Sequence, residues 1–215
     1  MPRLVESALQ IAVTNAAKDE AFSRTYWKIV RENTSYLYFR EAYNVYQYLR
    51  SVLPLEGSLA EAGVFKGGTA KLICEFKGDR PLHLFDTFEG MPEVRPDIDT
   101  YIKDAFSSTS AEAVSHYLSA YPQVHIHKGF FPATTAQLPN DITFSFVHLD
   151  MDIYESTLEG LKYFWPRMVK GGIIMSHDYN THYYRGVKKA FDEYFDGQGV
   201  MVQPLWDTHC MVRKD

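Results

Sequence analysis

A mostly parallel α/β sheet with helices on both faces is the fold class this sequence predicts, and three observations predict it. From Gly57 onward, short apolar runs alternate with helix-length segments. That order sets strands side by side in parallel with crossover helices over both faces. Several runs stop at a glycine or a carboxylate, as at Gly63, Asp86, Gly129, Asp150 and Asp178. The last two runs follow one another with no helix between them, a hairpin that adds an antiparallel edge.

The elements follow in order. Residues 5–53 read as helical in two or three pieces, with a break near Asn33 and Thr34, before Pro54 and Gly57 punctuate the chain. A first strand is predicted over 58–63 and a helix over 69–76. A second strand covers 81–86, a helix surrounds 111–120, and a third strand covers 124–129. The fourth strand is 143–150, followed by a helix over 157–168. The fifth strand is 171–178, followed by a helix over 187–195. Strands over 200–206 and 208–214 close a seven-stranded sheet. Residues 90–109, polar and proline-bearing, form a long connection at the carboxyl edge, either a lid or a surface excursion.

The 215 residues suit one domain with a sizeable core, residues 1–56 forming a helical extension and 57–215 the α/β core. A formal charge of −5 with no basic run argues against nucleic-acid or anionic-membrane partners. The N-terminus carries no long apolar segment, so neither a signal peptide nor a membrane span is expected. Two cysteines, Cys74 and Cys210, make no disulfide framework and no zinc spacing, which fits a reducing cytoplasm. Tyr36, Phe39, Tyr43 and Tyr46 are spaced to share one helix face. That face is expected to pack on its own domain, with a homodimer interface or a substrate wall as alternatives.

The chemistry concentrates at strand ends. Asp150 and Asp152 end the run FVHLDMD, and Asp178 ends GGIIMSHD. Ligands of open parallel sheets bind outside the carboxyl ends of the strands. Acids on two neighbouring ends make an oxygen-rich site for a hard divalent cation. A lone Asp after a strand is commonly a helix cap, which explains one of the three more easily than all three. The turn EAGVFKGG brings Gly63, Gly67 and Gly68 to the end of the first strand. It has neither the dinucleotide spacing nor a Gly-Lys-Ser/Thr phosphate loop. Asp86, ending the second strand, is placed to accept hydrogen bonds from ribose hydroxyls, and Glu61 could receive a ligand ammonium. Together they suit S-adenosylmethionine better than a dinucleotide. His148 is read as a packing or supporting histidine facing away from the acids.

Five blocks occur in fixed order: EAGVFKGG at 61–68, DTFEGMP at 86–92, KGFFPAT at 128–134, LDMDIYEST at 149–157 and GGIIMSHDY at 171–179. The set resembles the macrocin O-methyltransferase family, from about Thr34 to Phe195. The resemblance implies a class I methyltransferase, Rossmann-like fold, with S-adenosyl-L-methionine and magnesium as cofactors. It implies methylation of a hydroxyl on a small molecule, a sugar or natural-product diol. Carried across, Glu61, Gly63 and Gly67 would line the methionine end of the cofactor, and Val64 would also bind the cofactor. Asp86 would bind the ribose beside Thr87 and Phe88, and Gly129 and Phe130 would lie near the adenine. Thr34 and Ser35 would close over it. Asp150 would border the cofactor and ligate the metal with Asp178, and Asp152 would be the general base. Relatives commonly carry Asp-Asp-Tyr where this chain has His177-Asp178-Tyr179, so His177 either joins the metal ligands and broadens the preference toward manganese or a later metal, or stands apart from them. A metal-independent methyltransferase and a non-catalytic nucleoside-binding protein remain the rival readings.

Overall fold

Alternation of apolar runs with helix-length segments produces the sheet it predicts. The computed structural model describes residues 19–91, 96–99 and 105–215, with Val5. The strands are β1 (Ser58–Ala62), β2 (Leu82–Asp86), β3 (Val124–Lys128), β4 (Phe144–Leu149), β5 (Met168–Ser176), β6 (Gln203–Pro204) and β7 (Cys210–Arg213). They lie in the order β3-β2-β1-β4-β5-β7-β6. The first five are mutually parallel, and β7 is antiparallel to both β5 and β6. Six α-helices accompany them among the described residues: α1 (Glu20–Glu32), α2 (Phe39–Val52), α3 (Gly68–Phe76), α4 (Ala111–Tyr117), α5 (Tyr154–Phe164) and α6 (Arg185–Phe195). None of the described helices is long and apolar enough to cross a membrane.

Alternate residues of each strand feed two cores, as the period of two requires. Leu59, Leu82, Leu84, Phe146 and Met175 pack with Phe22, Tyr26, Val45, Tyr46 and Leu49 of α1 and α2. Ala60, Phe85, Val147 and Ile174 pack on the other face with Leu161 and Phe164 of α5 and Phe191 of α6. The N-terminal helices are thus one layer of the fold rather than an appendage. Asp19 caps α1, its Oδ1 accepting the Phe22 amide at 3.1 Å, and Asn33 ends it in the left-handed conformation. Asparagine tolerates that region better than most residues, which explains the predicted break. The predicted helical stretch before residue 19 lies outside the described residues.

Three boundaries differ from expectation. α5 begins at Tyr154 and stops at Phe164, because Pro166 cannot continue an α-helix; Trp165–Arg167 forms a 3-10 turn and β5 already starts at Met168. β6 shrinks to two residues at its proline. Tyr36 leaves the aromatic face assigned to it, since α2 starts only at Phe39. Phe39 and Tyr46 pack on the chain's own core, and Tyr36 is 59% exposed.

The β2–β3 edge carries a histidine pair with a consequence for acid stability. His83 Nδ1 lies 3.1 Å from His127 Nε2, and His125 stacks on His83. Burial, then the neighbouring His127 and His125, lowers the His83 pKa to about 4, against about 6.5 in an unfolded chain. The unfolded state therefore binds the extra proton between those values, and stability falls as pH drops from about 6.5 toward 4. Over that window the wild type is expected to lose up to about 3 kcal/mol more than His83→Gln. Urea midpoints of the two proteins at pH 7 and pH 4.5 check this; parallel losses would remove His83 as the cause.

Candidate active site

The strand order reverses between β1 and β4, the position at which open α/β sheets take their ligands. A cavity of about 550 Å³ opens there, within the roughly 300–1,000 Å³ of small-ligand pockets. Its floor comes from the turn after β1, the end of β2, and the loops after β3, β4 and β5. Thr34 and Ser35 close it from the N-terminal layer, and Met91, Ala105 and Phe106 from the connection after β2. The rest of that connection, 92–95 and 100–104, lies outside the described residues.

The glycine turn is shaped by close backbone approach. A Cβ on Gly63, at φ +87°, would sit 1.7 Å from the Asp150 carbonyl oxygen, and one on Gly68 would sit 2.5 Å from the Thr34 carbonyl oxygen. The end of β4 and the N-terminal layer can meet the turn only where side chains are absent. Asp86 fixes the turn from beneath: Oδ2 accepts the amides of Val64 (2.7 Å) and Phe65 (2.8 Å), and Oδ1 accepts that of Phe88 (2.6 Å). A carboxylate has about four lone-pair directions, so one remains for a ligand hydroxyl. Glu61 lies below the turn, 1% exposed, with Oε1 3.1 Å from His148 Nδ1. Burial and the charges of Asp150 and Asp86 push its carboxyl well up, while burial lowers His148 to about 4. Burial thus favours the neutral form of both partners of this contact. Glu61 Oε2 makes no hydrogen bond.

Past β4 and β5 the acids converge. Asp152 (φ 62°) and Asp178 (φ 64°) both occupy the left-handed region, backbone strain of the kind concentrated at functional sites. Ligand atoms of Asp150, His177 and Asp178 lie within 4.8 Å of one another. His177 Nδ1 stands 3.2 Å from Asp150 Oδ1 and 2.9 Å from Asp178 Oδ2. It is buried there without the angles of a hydrogen bond. Burial alone would lower the His177 pKa; the charge of Asp150 overrides it and holds the imidazole well above its ordinary value. Burial would likewise raise Asp150, and His177 outweighs that and holds it at about 2. Asp152 is driven well above the usual carboxylate range by burial, then by Asp150 and Asp178. Two carboxylates and a ring nitrogen converging on one point are a donor set that fits a divalent ion, which would take the place of the proton on the imidazole.

A family model described as Macrocin-O-methyltransferase (TylF) matches residues 44–211, most of the chain. The chain belongs to the TylF macrocin-O-methyltransferase family. A relative, the 8-demethyl-8-(2,3-dimethoxy-alpha-L-rhamnosyl)-tetracenomycin-C 4'-O-methyltransferase of Streptomyces olivaceus, is 31% identical over 170 residues, 67% of this chain and 64% of that protein. The demethyldecarbamoylnovobiocin O-methyltransferase of Streptomyces niveus is 28% identical over 169 residues, 70% of this chain and 63% of that protein. The matched region spans just under two thirds of either relative. Among solved structures, the O-methyltransferase NovP superposes with a TM-score of 0.72 at 25% identity, covering 84% of this chain and 82% of its own. The fold is that of class I O-methyltransferases.

In this TylF-family chain the cavity gathers Gly63, Val64, Asp86, Thr87, Gly129 and Phe130, and also Asp150, Asp152, His177 and Asp178. Three predicted residues do not line it. Glu61 is sealed beneath the turn; Gly67 caps α3 under Val114; and Phe88 turns into the core, 5% exposed. His148 faces Glu61 rather than away from the site, since residues two apart on a strand share a face. It also contacts His209, with 3.4 Å between their Nε2 atoms. Sequence reasoning missed Glu41, His209, Ser156 and Tyr184. Glu41 sits 3.7 Å from His177, and Tyr184 lines the cavity, its hydroxyl pushed to about 12 by burial and then the acids. Tyr36 stacks on Phe65 at 5.5 Å, with Phe106 edge-on to both, an aromatic wall at the mouth.

Proposed function

We propose that this protein transfers the methyl group of S-adenosylmethionine to a hydroxyl of a small-molecule acceptor, a sugar or natural-product diol, assisted by a divalent ion. The observation that carries the reading is the meeting, in one cavity, of the glycine turn with Asp86 and the donor cluster Asp150, His177 and Asp178. Relatives named for methylating rhamnosyl and novobiocin scaffolds support the acceptor class.

The donor supplies a methyl on a sulfonium: the C–S bond breaks as a C–O bond forms, and the hydroxyl proton must leave. In-line displacement rewards positioning above all. Gly63 and Val64 would seat the methionine end, and Asp86, already holding the turn, would accept from the ribose. A magnesium or manganese ion held by Asp150, His177 and Asp178 would supply positive charge beside the acceptor oxygen. Asp152 lines the same cavity outside the donor cluster and would take the proton.

Asp150→Ala and Asp178→Ala are each expected to abolish methyl transfer while binding of the demethylated cofactor stays measurable by calorimetry. Full activity of either variant in the presence of chelator would remove the metal from the mechanism and leave a metal-independent transferase.

A further inference from the structure

A third carboxylate stands behind His177. Glu41, on α2, is 4% exposed. Its Oε2 accepts the Tyr38 amide at 2.8 Å and closes the start of the helix. Its Oε1 accepts the Thr208 hydroxyl at 2.9 Å and faces His177 Nε2 at 3.7 Å, ion-pair rather than hydrogen-bond distance. Among the described residues, His177 is the one cationic or N–H side chain that forms such a pair with it. Helix capping occupies one oxygen of this acid and Thr208 bonds the other, but hydroxyl and amide donors leave its charge unpaired, and a buried unpaired charge is costly unless the imidazole answers it.

The imidazole is therefore held between carboxylates on both sides. Nδ1 faces Asp150 and Asp178, and Nε2 faces Glu41. A neutral imidazole has one N–H and one lone pair, and the partner of one nitrogen decides which it carries. A carboxylate behind a metal-binding histidine fixes the tautomer and ring orientation. Resting on the metal-assisted reading above, we infer that Glu41 is a positioning residue that keeps the N–H of His177 on Nε2. Nδ1 then joins Asp150 and Asp178 as a nitrogen donor. A nitrogen donor shifts the site toward manganese over magnesium, since imidazole suits first-row transition ions and magnesium prefers oxygen. At this strand end the chain presents a histidine and a buried acid to orient it.

The test measures ion binding by the metal-free protein, without donor or acceptor. Free manganese is counted by electron paramagnetic resonance, and magnesium by competition. Glu41→Gln keeps an acceptor oxygen for the Tyr38 amide, gives the Thr208 hydroxyl an NH2 group to accept from, and removes the charge; glutamine serves the same capping position. Manganese affinity is expected to fall about 10–100-fold, with a smaller loss for magnesium. In a His177→Ala background the same substitution is expected to change neither. An unchanged manganese affinity, or an equal loss without His177, overturns the inference. A second measurement needs no Glu41 variant: pulsed resonance of manganese on the wild type is expected to show nitrogen coupling that His177→Ala removes. Absence of that coupling overturns the nitrogen donor. A wild type that binds neither ion overturns the metal-assisted reading itself.

Discussion

Replacing Asp152 with asparagine is expected to lower methyl-transfer turnover roughly 10²–10⁴-fold with folding and ion binding intact. Asparagine has the same shape and tolerates positive φ, so the left-handed backbone at Asp152, φ 62°, is kept. Asp152 is not among the three convergent donors, so its charge is not required to hold an ion there. It lines the cavity beside them. A carboxyl pushed well above its usual range by burial and by Asp150 and Asp178 binds a proton tightly. Once ionised, it is a stronger base toward an alcohol than an exposed carboxylate. The check is turnover at saturating ion, alongside manganese affinity of wild type and variant. Turnover unchanged from acid to alkaline pH would take the proton-transfer role from Asp152. Lost manganese affinity would instead place it among the ligands.

The parts of this site legible in sequence share one property: each is a local break in a pattern. Asp86, Asp150 and Asp178 interrupt apolar runs where strands end, and the sheet topology alone carries such interruptions to one edge. The parts that were not legible depend on pairing across the fold. Glu41 sits in an aromatic helix with no local break to mark it, and only when α2 is laid over β5 does its second oxygen meet His177. His209 is one polar residue in a short final strand, and only the antiparallel pairing with β5 brings it toward His148 and His177. Tyr36 fits the helical spacing of Phe39 and Tyr43, but the chain is extended at Tyr38, which frees Tyr36 to stack on Phe65. Phe88 belongs to a motif beside the cofactor site, yet its positive φ and its amide bond to Asp86 turn the ring into the core. A motif marks a neighbourhood; burial decides which of its side chains reach the cavity.

Gly63→Ala is expected to destabilise the protein by more than about 3 kcal/mol and to abolish methyl transfer. Two effects combine at this position, and two other glycines separate them. Gly78 has φ +62° and open space around its would-be Cβ, so alanine there meets the left-handed backbone penalty alone, about 1–2 kcal/mol. Gly67 has φ +78° and a would-be Cβ 3.1 Å from Val114 Cγ1, a side-chain atom that can yield. Gly63 has φ +87° and a would-be Cβ 1.7 Å from the Asp150 carbonyl oxygen, which is backbone. That carbonyl cannot yield alone, because the Asp150 amide is bonded to Ala62 O at 2.8 Å and the Gly63 amide to Phe85 O at 2.9 Å. Relief of the clash must part β1 from β4 at the point where Asp150 leaves the sheet, moving a donor of the acidic cluster. Denaturant midpoints of the three alanine variants should therefore fall in the order Gly78, Gly67, Gly63, with transfer lost in the last. A Gly63→Ala protein as stable as Gly78→Ala would mean that the two strand ends separate at little cost. The glycine turn would then be free of the constraint that ties the methyl-donor pocket to the acids.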